Sequence, residues 1–322
     1  MLKNLKNLTT LITSLTLTPI TNTQITNIPF VIKNFTNFNN LNNFNNFNNL
    51  TNENKKGVIM RAAVVKEWYG GNCEAVEGYI THFNKIIDEN VDAKKASEIF
   101  SLKPKALIVP HAGWVYSGFT ANFAYRIAKN SSPKAVAVIG PSHRFAFEGI
   151  SVTLEDEYET PCGNLPIDFE TSKVLIENFG VQNLEYVHVE HSTEVQMPFI
   201  KHYFGDIPVI ELVYSNCSPL KLKEIINFLI QNNILVVISS DLSHYYDLKT
   251  ANALDYNCLE AVNNQDVSQL EKCEACGKIG IEALIHSSRE LNLAPLIVDY
   301  RTSADVSGDE NQVVGYMSAV FI

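Results

Sequence analysis

The sequence predicts an α/β fold with a mostly parallel central sheet flanked by helices. Two observations carry this prediction: uninterrupted apolar runs alternate with amphipathic segments of helical period, and polar residues follow several of the apolar runs directly. Strands that are apolar on both faces are typical of parallel sheets covered by helices on each side. The chain shows no internal repeat and no convincing linker after residue 60, so we expect a single domain there.

The individual elements follow from these periods. Strands with the loops that follow them are predicted at 105–113, 134–143, 206–214 and 233–244, and helices at 119–130, 168–179 and 220–232. The strand segments are short runs of mainly aliphatic residues, whereas the helical segments repeat apolar residues at spacings of three and four. Because each strand is followed by a helix, the strands are expected to run parallel to one another.

The first 57 residues differ in composition from the rest of the chain. They contain 16 asparagines and one acidic residue, Glu53, without helical or alternating periodicity. Such a segment cannot bury enough apolar surface to fold, so residues 1–57 are predicted to be a disordered Asn-rich extension. Its apolar stretch is broken by threonines and lacks a cleavage site, unlike a signal peptide. Met60 begins an ordinary globular sequence, so the extension is interpreted as a start-site artefact ahead of a domain at 60–322.

Charge and cysteine content limit the classes of partner. From residue 58 onward the chain has 20 basic and 34 acidic residues, a net charge of −14. This charge repels nucleic acid phosphates and anionic membranes, so we expect neither as a partner. No uncharged apolar run is long enough to span a bilayer. The six cysteines are scattered without an export signal, which favours reduced thiols and a cytoplasmic location.

Polar side chains follow three of the predicted strands where each strand ends. His111 follows ALIV, His143 follows VAVIG, and Asp241 and His244 follow LVVIS. In open α/β sheets, ligands bind beyond the carboxyl ends of the strands. One histidine in such a place is more often a hydrogen-bonded structural residue. The same placement on three strands instead favours a shared binding site.

A fourth polar segment, VEHSTEVQMPF at 189–199, contains Glu190, His191 and Glu194 ahead of an apolar stretch. Ser192 and Thr193 are residues that can cap a helix, with Glu194 on its face. Taken alone, this segment is interpreted as a capped surface helix.

Cys273 and Cys276 form a CxxC pair just before a helical run at 277–285. The helix dipole would favour a thiolate at Cys276, which is the form that binds metal. A single CxxC is a weak zinc or redox signal, because a structural zinc site needs a second ligand pair. A small buried core thiol is an equally good interpretation of Cys276 at this point.

Several segments occur together in an order that is similar to that of a known family. They are PHAGWVYSG, GPSH, TPCGNLPID, EHSTEVQMPF, SSDLSHY, the Cys-Gly pair at 276–277 and RTSADVSGDENQVVGY. From about Met60 to Ile322 the chain resembles the Memo family, whose bacterial members are called AmmeMemoRadiSam system protein B. Cys162 departs from the Leu often found in that family, and Ile279 and Gly280 replace a common Gly-Pro.

The resemblance implies a fold similar to that of class III extradiol dioxygenases, with a metal pocket of two histidines and a cysteine. Carried over by motif, His111, His143 and Cys276 become ligands of iron or copper. The same resemblance makes Asp241 and His244 an acid/base pair beside the metal. Two imidazoles and a thiolate form a soft, open ligand set that suits iron or copper.

Two classes of function remain open from the sequence. One is a metal-dependent redox enzyme, including a dioxygenase, acting on an unknown small-molecule or peptide substrate with a radical-enzyme system partner. The other is a non-catalytic protein that binds a peptide or partner in the same pocket. A zinc hydrolase is the weaker third interpretation. P-loop, dinucleotide-binding, HExxH and GxSxG motifs are missing from the sequence, which disfavours those other chemistries.

Overall fold

The structure is a computed structural model, and it describes residues 58–322. The prediction of a disordered extension at residues 1–57 lies outside the described residues. Within the described part, no helix is long and apolar enough to cross a membrane.

The strands form one large sheet and one small one. They are β1 (Met60–Arg61), β2 (Ala106–Val109), β3 (Ala135–Pro141), β4 (Ile150–Val152), β5 (Glu157–Tyr158), β6 (Leu165–Pro166), β7 (Val209–Tyr214), β8 (Ile234–Ser239), β9 (His244–Tyr246), β10 (Pro295–Thr302) and β11 (Val313–Phe321). The large sheet has the order β10-β11-β2-β8-β3-β7-β4, with β9 paired to β11, and the small sheet has the order β1-β5-β6. Strands β2, β8, β3 and β7 are parallel, whereas β4 and the β10–β11 pair are antiparallel.

Helices connect the parallel strands and cover the sheet. They are α1 (Cys73–Asn90), α2 (Ala93–Phe100), α3 (Trp114–Ala128), α4 (Phe169–Phe179), α5 (His191–Glu194), α6 (Met197–Phe204), α7 (Pro219–Gln231), α8 (Leu248–Asn264), α9 (Lys278–Glu290) and α10 (Ala304–Ser307). Short 3-10 turns occur at Lys66–Tyr69, Glu185–His188 and Val267–Lys272.

The central strands are buried on both faces, and alternate side chains enter two separate cores. On β3, Val136 and Val138 belong to the core that includes α3, whereas Ala137 and Ile139 belong to the core that includes α7 and α9. Successive side chains of a strand point to opposite faces, so an uninterrupted apolar run supplies both cores at once. This is why the strand segments lack a polar face.

The predicted α/β class, the parallel centre of the sheet and its flanking helices are confirmed. The antiparallel strands at the edges of the sheet were not predicted. β10 and β11, for example, pair directly without a helical crossover, so the alternation of strands and helices in the sequence does not reveal them. The similarity to class III extradiol dioxygenases stays a prediction.

The expectation that all six cysteines are reduced thiols is wrong in this structure. Disulfides join Cys73 to Cys162 and Cys258 to Cys273. The cysteines of the two pairs are 89 and 15 residues apart in sequence, whereas their Cα atoms lie 4.7 and 4.8 Å apart. The pairing is therefore visible only in the folded chain. Cys217 and Cys276 are the free cysteines of the described residues.

Candidate metal centre

The carboxyl ends of three neighbouring parallel strands meet at one edge of the large sheet. Val109 of β2 pairs with Ser239 of β8, and β8 is hydrogen-bonded to β3 on its other side. The residues that follow these strands therefore share one region. The ring centroids of His111 and His143 are 5.0 Å apart. The structure thus brings together these two predicted ligands.

A third histidine, His191, enters the same region from helix α5. Its ring centroid lies 4.4 Å from that of His143 and 5.5 Å from that of His111. The ligand atoms of the three histidines all lie within 4.8 Å of one another. His191 was not predicted to belong to the site, because its segment was interpreted as a surface helix. Glu190, next to it, is fully buried, so the segment is not a surface helix.

Helix α5 can lie against β3 because residue 140 is glycine. A Cβ atom added to Gly140 would lie 2.4 Å from Ser192 Oγ and 2.9 Å from a side-chain carbon of Thr193. The Ser192 hydroxyl also donates a hydrogen bond to the carbonyl of Pro141 at 2.9 Å. The glycine and this hydrogen bond together fix His191 beside the end of β3.

Glu190 lies beside two of the histidines and determines which nitrogen of His143 carries the proton. Its Oε1 atom lies 3.1 Å from Nδ1 of His143 and 3.1 Å from Nδ1 of His191. Glu190 Oε2 accepts a hydrogen bond from the backbone N–H of His143 at 2.7 Å, and Oε1 accepts one from the backbone N–H of Ser192 at 3.0 Å. Burial raises the pKa of Glu190, but its hydrogen bond with His143, the neighbouring His191 and these N–H groups lower it to about 2. An ionised carboxylate only accepts hydrogen bonds, so His143, which is hydrogen-bonded to it, carries the proton on Nδ1.

Ser239 fixes the proton of His111 in the same way. The Ser239 hydroxyl donates to the carbonyl of Ser192 at 2.5 Å, and it accepts from Gln196 Nε2 at 3.0 Å. A hydroxyl has one donor and two acceptor positions, so His111 Nδ1, 3.0 Å away, must donate to it. His111 and His143 therefore keep Nε2 as the nitrogen with a free lone pair.

Burial keeps two of these imidazoles neutral. Desolvation lowers the pKa of His111 well below its usual range, and the adjacent His143 lowers it further. Desolvation also lowers the pKa of His191, and His111 adds to this effect, giving a value of about 3 despite the nearby Glu190 carboxylate. Neutral imidazole is the form that binds metal, so no proton has to leave these rings at pH 7.

Cys276 contacts this cluster through His111. Its Sγ atom lies 3.2 Å from His111 Nε2, and it accepts a hydrogen bond from the backbone N–H of Asp241 at 3.2 Å. Burial raises the pKa of the Cys276 thiol, and the Asp241 carboxylate raises it further, to about 12. Burial and Asp241 thus oppose the thiolate that the start of α9 is expected to favour, and the thiolate stays a prediction.

Asp241 and His244 lie near the cluster and differ in their contacts and burial. Asp241 Oδ1 accepts the backbone N–H of His111 at 2.7 Å, and Oδ2 lies 4.0 Å from His111 Nε2. Burial raises the pKa of Asp241, and the His111 N–H lowers it in part. His244 is half-buried at the start of β9. Its predicted role as the acid/base partner of Asp241 stays a prediction.

Comparisons with known proteins identify the family of the chain. The profile described as Memo-like protein matches residues 61–320. A MEMO1 family protein of Thermotoga petrophila is 32% identical over 238 residues, covering 70% of this chain and 85% of that protein. One from Aquifex aeolicus is 33% identical over 234 residues, with coverages of 69% and 87%. One from Thermoplasma volcanium is 30% identical over 279 residues, with coverages of 82% and 98%.

Among solved structures, an uncharacterized protein from Escherichia coli K12 is similar with a TM-score of 0.43 and 13% identity. It covers 68% of this chain and 100% of its own length. The profile match and the sequence relatives are sufficient: the chain belongs to the Memo-like protein family.

Proposed function

We propose that this chain is a metal-dependent redox enzyme that binds iron or copper through His111, His143 and Cys276, with His191 as an additional nitrogen donor. One observation carries the proposal. Three imidazoles each offer a ligand atom within 4.8 Å of the others, and Ser239 and Glu190 fix the Nδ1 protons of two of them, His111 and His143. Imidazole nitrogens held in this way by carboxylates or hydroxyls are typical of metal ligands.

The donor set fits a transition metal better than a hard cation. Imidazole suits iron, copper and zinc, and thiolate favours the softer ions among them. The Cys276 thiol is protonated in the metal-free protein, and an adjacent cation would lower its pKa and release its proton. Bound iron or copper would supply one-electron redox chemistry at this position.

The surrounding residues orient the ligands and hold protons. Glu190 accepts a hydrogen bond from His143 Nδ1, lies 3.1 Å from His191 Nδ1 and, being ionised, would offset part of the positive charge of a bound cation. Asp241 is buried next to His111 and has a raised pKa, so it can take up a proton more readily than an exposed carboxyl. We assign proton transfer to Asp241 together with the half-buried His244.

A second candidate function, the binding of a peptide or partner protein without turnover, is favoured by the aromatic residues around the histidines. The Trp68 ring centroid lies 4.8 Å from that of His191. Phe145 follows His143 closely in sequence and contacts Tyr186 at 5.3 Å between centroids, and Tyr245 is 71% exposed. Exposed aromatic residues of this kind are common where proteins bind partners.

The test is metal uptake by the full-length protein, purified without oxygen and without added thiol. These conditions leave the two disulfides closed, so only Cys217 and Cys276 can supply a thiolate. We expect one equivalent of iron or copper and, in the oxidised metal state, a visible sulfur-to-metal charge-transfer band. Cys276→Ser should remove the band, because a serine hydroxyl is a harder and more basic ligand.

Cys217→Ser is the matched control, since Cys217 is also a half-buried free thiol with a pKa raised by burial, to about 11. It should keep the band. Colourless, tight zinc binding would instead favour a hydrolytic site. A protein that takes up no metal, and whose properties do not change with Cys276→Ser, would show that the pocket serves binding alone.

A further inference from the structure

A second group of metal-ligating side chains joins the start of α1 to the loop at Cys162. Cys73, Glu77 and Cys162 each offer a ligand atom, and these atoms lie within 4.8 Å of one another. The group shares no residue with the histidine cluster. In this structure its two sulfurs are joined as a disulfide across 89 residues of sequence.

The fold places these three residues on two independent segments. Cys73 is the first residue of the 18-residue helix α1, and Glu77 lies four residues later on the same face. Cys162 lies in a turn closed by the backbone hydrogen bond from Gly163 to Thr160, where Gly163 has a φ of +107°. The position of Cys73 at a helix N-terminus favours the thiolate form once the disulfide is open.

A histidine on a third segment orients the carboxylate. His202 of α6 has its Nδ1 atom 2.9 Å from Glu77 Oε1 and 2.8 Å from Oε2. The side chains of Glu77 and His202 are 43% and 26% exposed, so solvent and ions reach the group. A carboxylate ligand held by a hydrogen-bonded neighbour is a recurrent feature of protein metal sites.

We propose that opening of the Cys73–Cys162 disulfide by a dithiol converts this group into a Zn²⁺ site with Cys73, Cys162 and Glu77 as ligands. The dithiol becomes a cyclic disulfide and passes its two hydrogens to the two cysteines. Zn²⁺ then displaces two thiol protons to solvent and binds two thiolates and a carboxylate, with the fourth position open to water. Two thiolates on one tetrahedral Zn²⁺ lie about 3.8 Å apart, so the disulfide and the metal exclude each other.

The experiment uses full-length Cys276→Ser protein, so that the histidine cluster contributes no thiolate. Uptake of Zn²⁺ is compared before and after reduction by a phosphine, because dithiols themselves bind zinc. We expect one additional equivalent after reduction. Co²⁺ in place of Zn²⁺ should give thiolate charge-transfer absorption in the near ultraviolet only in the reduced protein.

Variants assign the additional equivalent to its residues. His202→Ala removes the hydrogen-bonded neighbour of Glu77 and should weaken binding of the additional Zn²⁺ by about 10- to 100-fold. Glu77→Gln removes the carboxylate ligand itself and should weaken this binding by more. Glu74→Gln, an exposed glutamate on the same turn of α1, is the matched control and should change nothing. Cys258→Ser/Cys273→Ser should keep the additional equivalent, and Cys73→Ser/Cys162→Ser should abolish it.

Three outcomes would overturn the proposal: no additional metal after reduction, an additional equivalent that disappears with Cys258 and Cys273, or unchanged affinity in Glu77→Gln. The last variant keeps Cys73 and Cys162 and alters a partly exposed side chain, so the test does not depend on a protein that lacks either of these cysteines. Because the result is a difference between reduced and oxidised protein, it does not depend on whether the histidine cluster binds metal.

Discussion

Replacing Glu190 by glutamine tests whether one buried carboxylate organises two histidines of the proposed metal site. Glu190 contacts Nδ1 of His143 and of His191, each at 3.1 Å, through the same oxygen. A glutamine oxygen can accept from these rings, but it lacks the charge that holds two donors, and its NH₂ group is itself a donor. We therefore expect at least one ring to lose its fixed orientation in Glu190→Gln.

The expected loss of metal affinity follows from the number of histidines that Glu190 contacts. Loss of a hydrogen-bonded neighbour of a metal ligand typically lowers metal affinity by 10- to 100-fold, or about 1.4 to 2.7 kcal/mol. Since Glu190 serves two histidines, we expect a loss near the upper end of this range. The assay is competition between the full-length protein and a chelator of known affinity, read as metal bound at equilibrium.

Glu194→Gln is the matched control for this experiment. Glu194 is also fully buried on α5, but it accepts hydrogen bonds from the backbone N–H groups of Val64 and Val65 and from the Tyr69 hydroxyl. It should lower thermal stability with little effect on metal affinity. If Glu190→Gln binds metal within twofold of the unaltered protein, or if both variants weaken it equally, the assigned role of Glu190 is wrong.

Three further predictions concern other parts of the chain. His244→Ala should leave metal content nearly unchanged and abolish turnover, because it removes a proton-transfer group and no ligand; loss of metal would make His244 a ligand. In the metal-free protein, the folded-state pKa values of His191 and Glu190 lie below their ordinary values of 6.5 and 4.5, so their contributions to stability are present at pH 7 and lost as pH falls. The melting temperature should therefore fall from about pH 6.5 downward, less steeply in His191→Asn, and an identical slope in that variant would contradict this assignment. A chain that begins at Met60 should melt at the temperature of the full-length protein, since the composition of residues 1–57 predicts no packed core; a clearly lower value would show that those residues stabilise the domain.

The sequence predicted most of what depends on local patterns. The apolar runs at β2, β3, β7 and β8 identified the parallel centre of the sheet, because strands buried on both faces cannot alternate with polar residues. The same logic placed His111 and His143 at one sheet edge, where their rings are 5.0 Å apart. The family motifs added Cys276, whose Sγ atom contacts His111 Nε2.

The features that the sequence did not predict depend on contacts between distant segments. His191 was interpreted as part of a surface helix, because nothing local shows that Gly140 allows α5 to pack against β3. The disulfides join residues that are 89 and 15 positions apart, which spacing alone cannot pair. The protonation of Cys276 is set by burial and by Asp241, and burial is a property of the folded chain.

The most direct test of the central claim is an anomalous-difference map from crystals of the full-length protein loaded with iron or copper and recorded at the absorption edge of that metal. We predict one strong peak among the side chains of His111, His143, His191 and Cys276, within bonding distance of His111 Nε2. A map without a peak at this position, or with its only peak beside Glu77, would contradict the assignment of the histidine cluster as the metal centre.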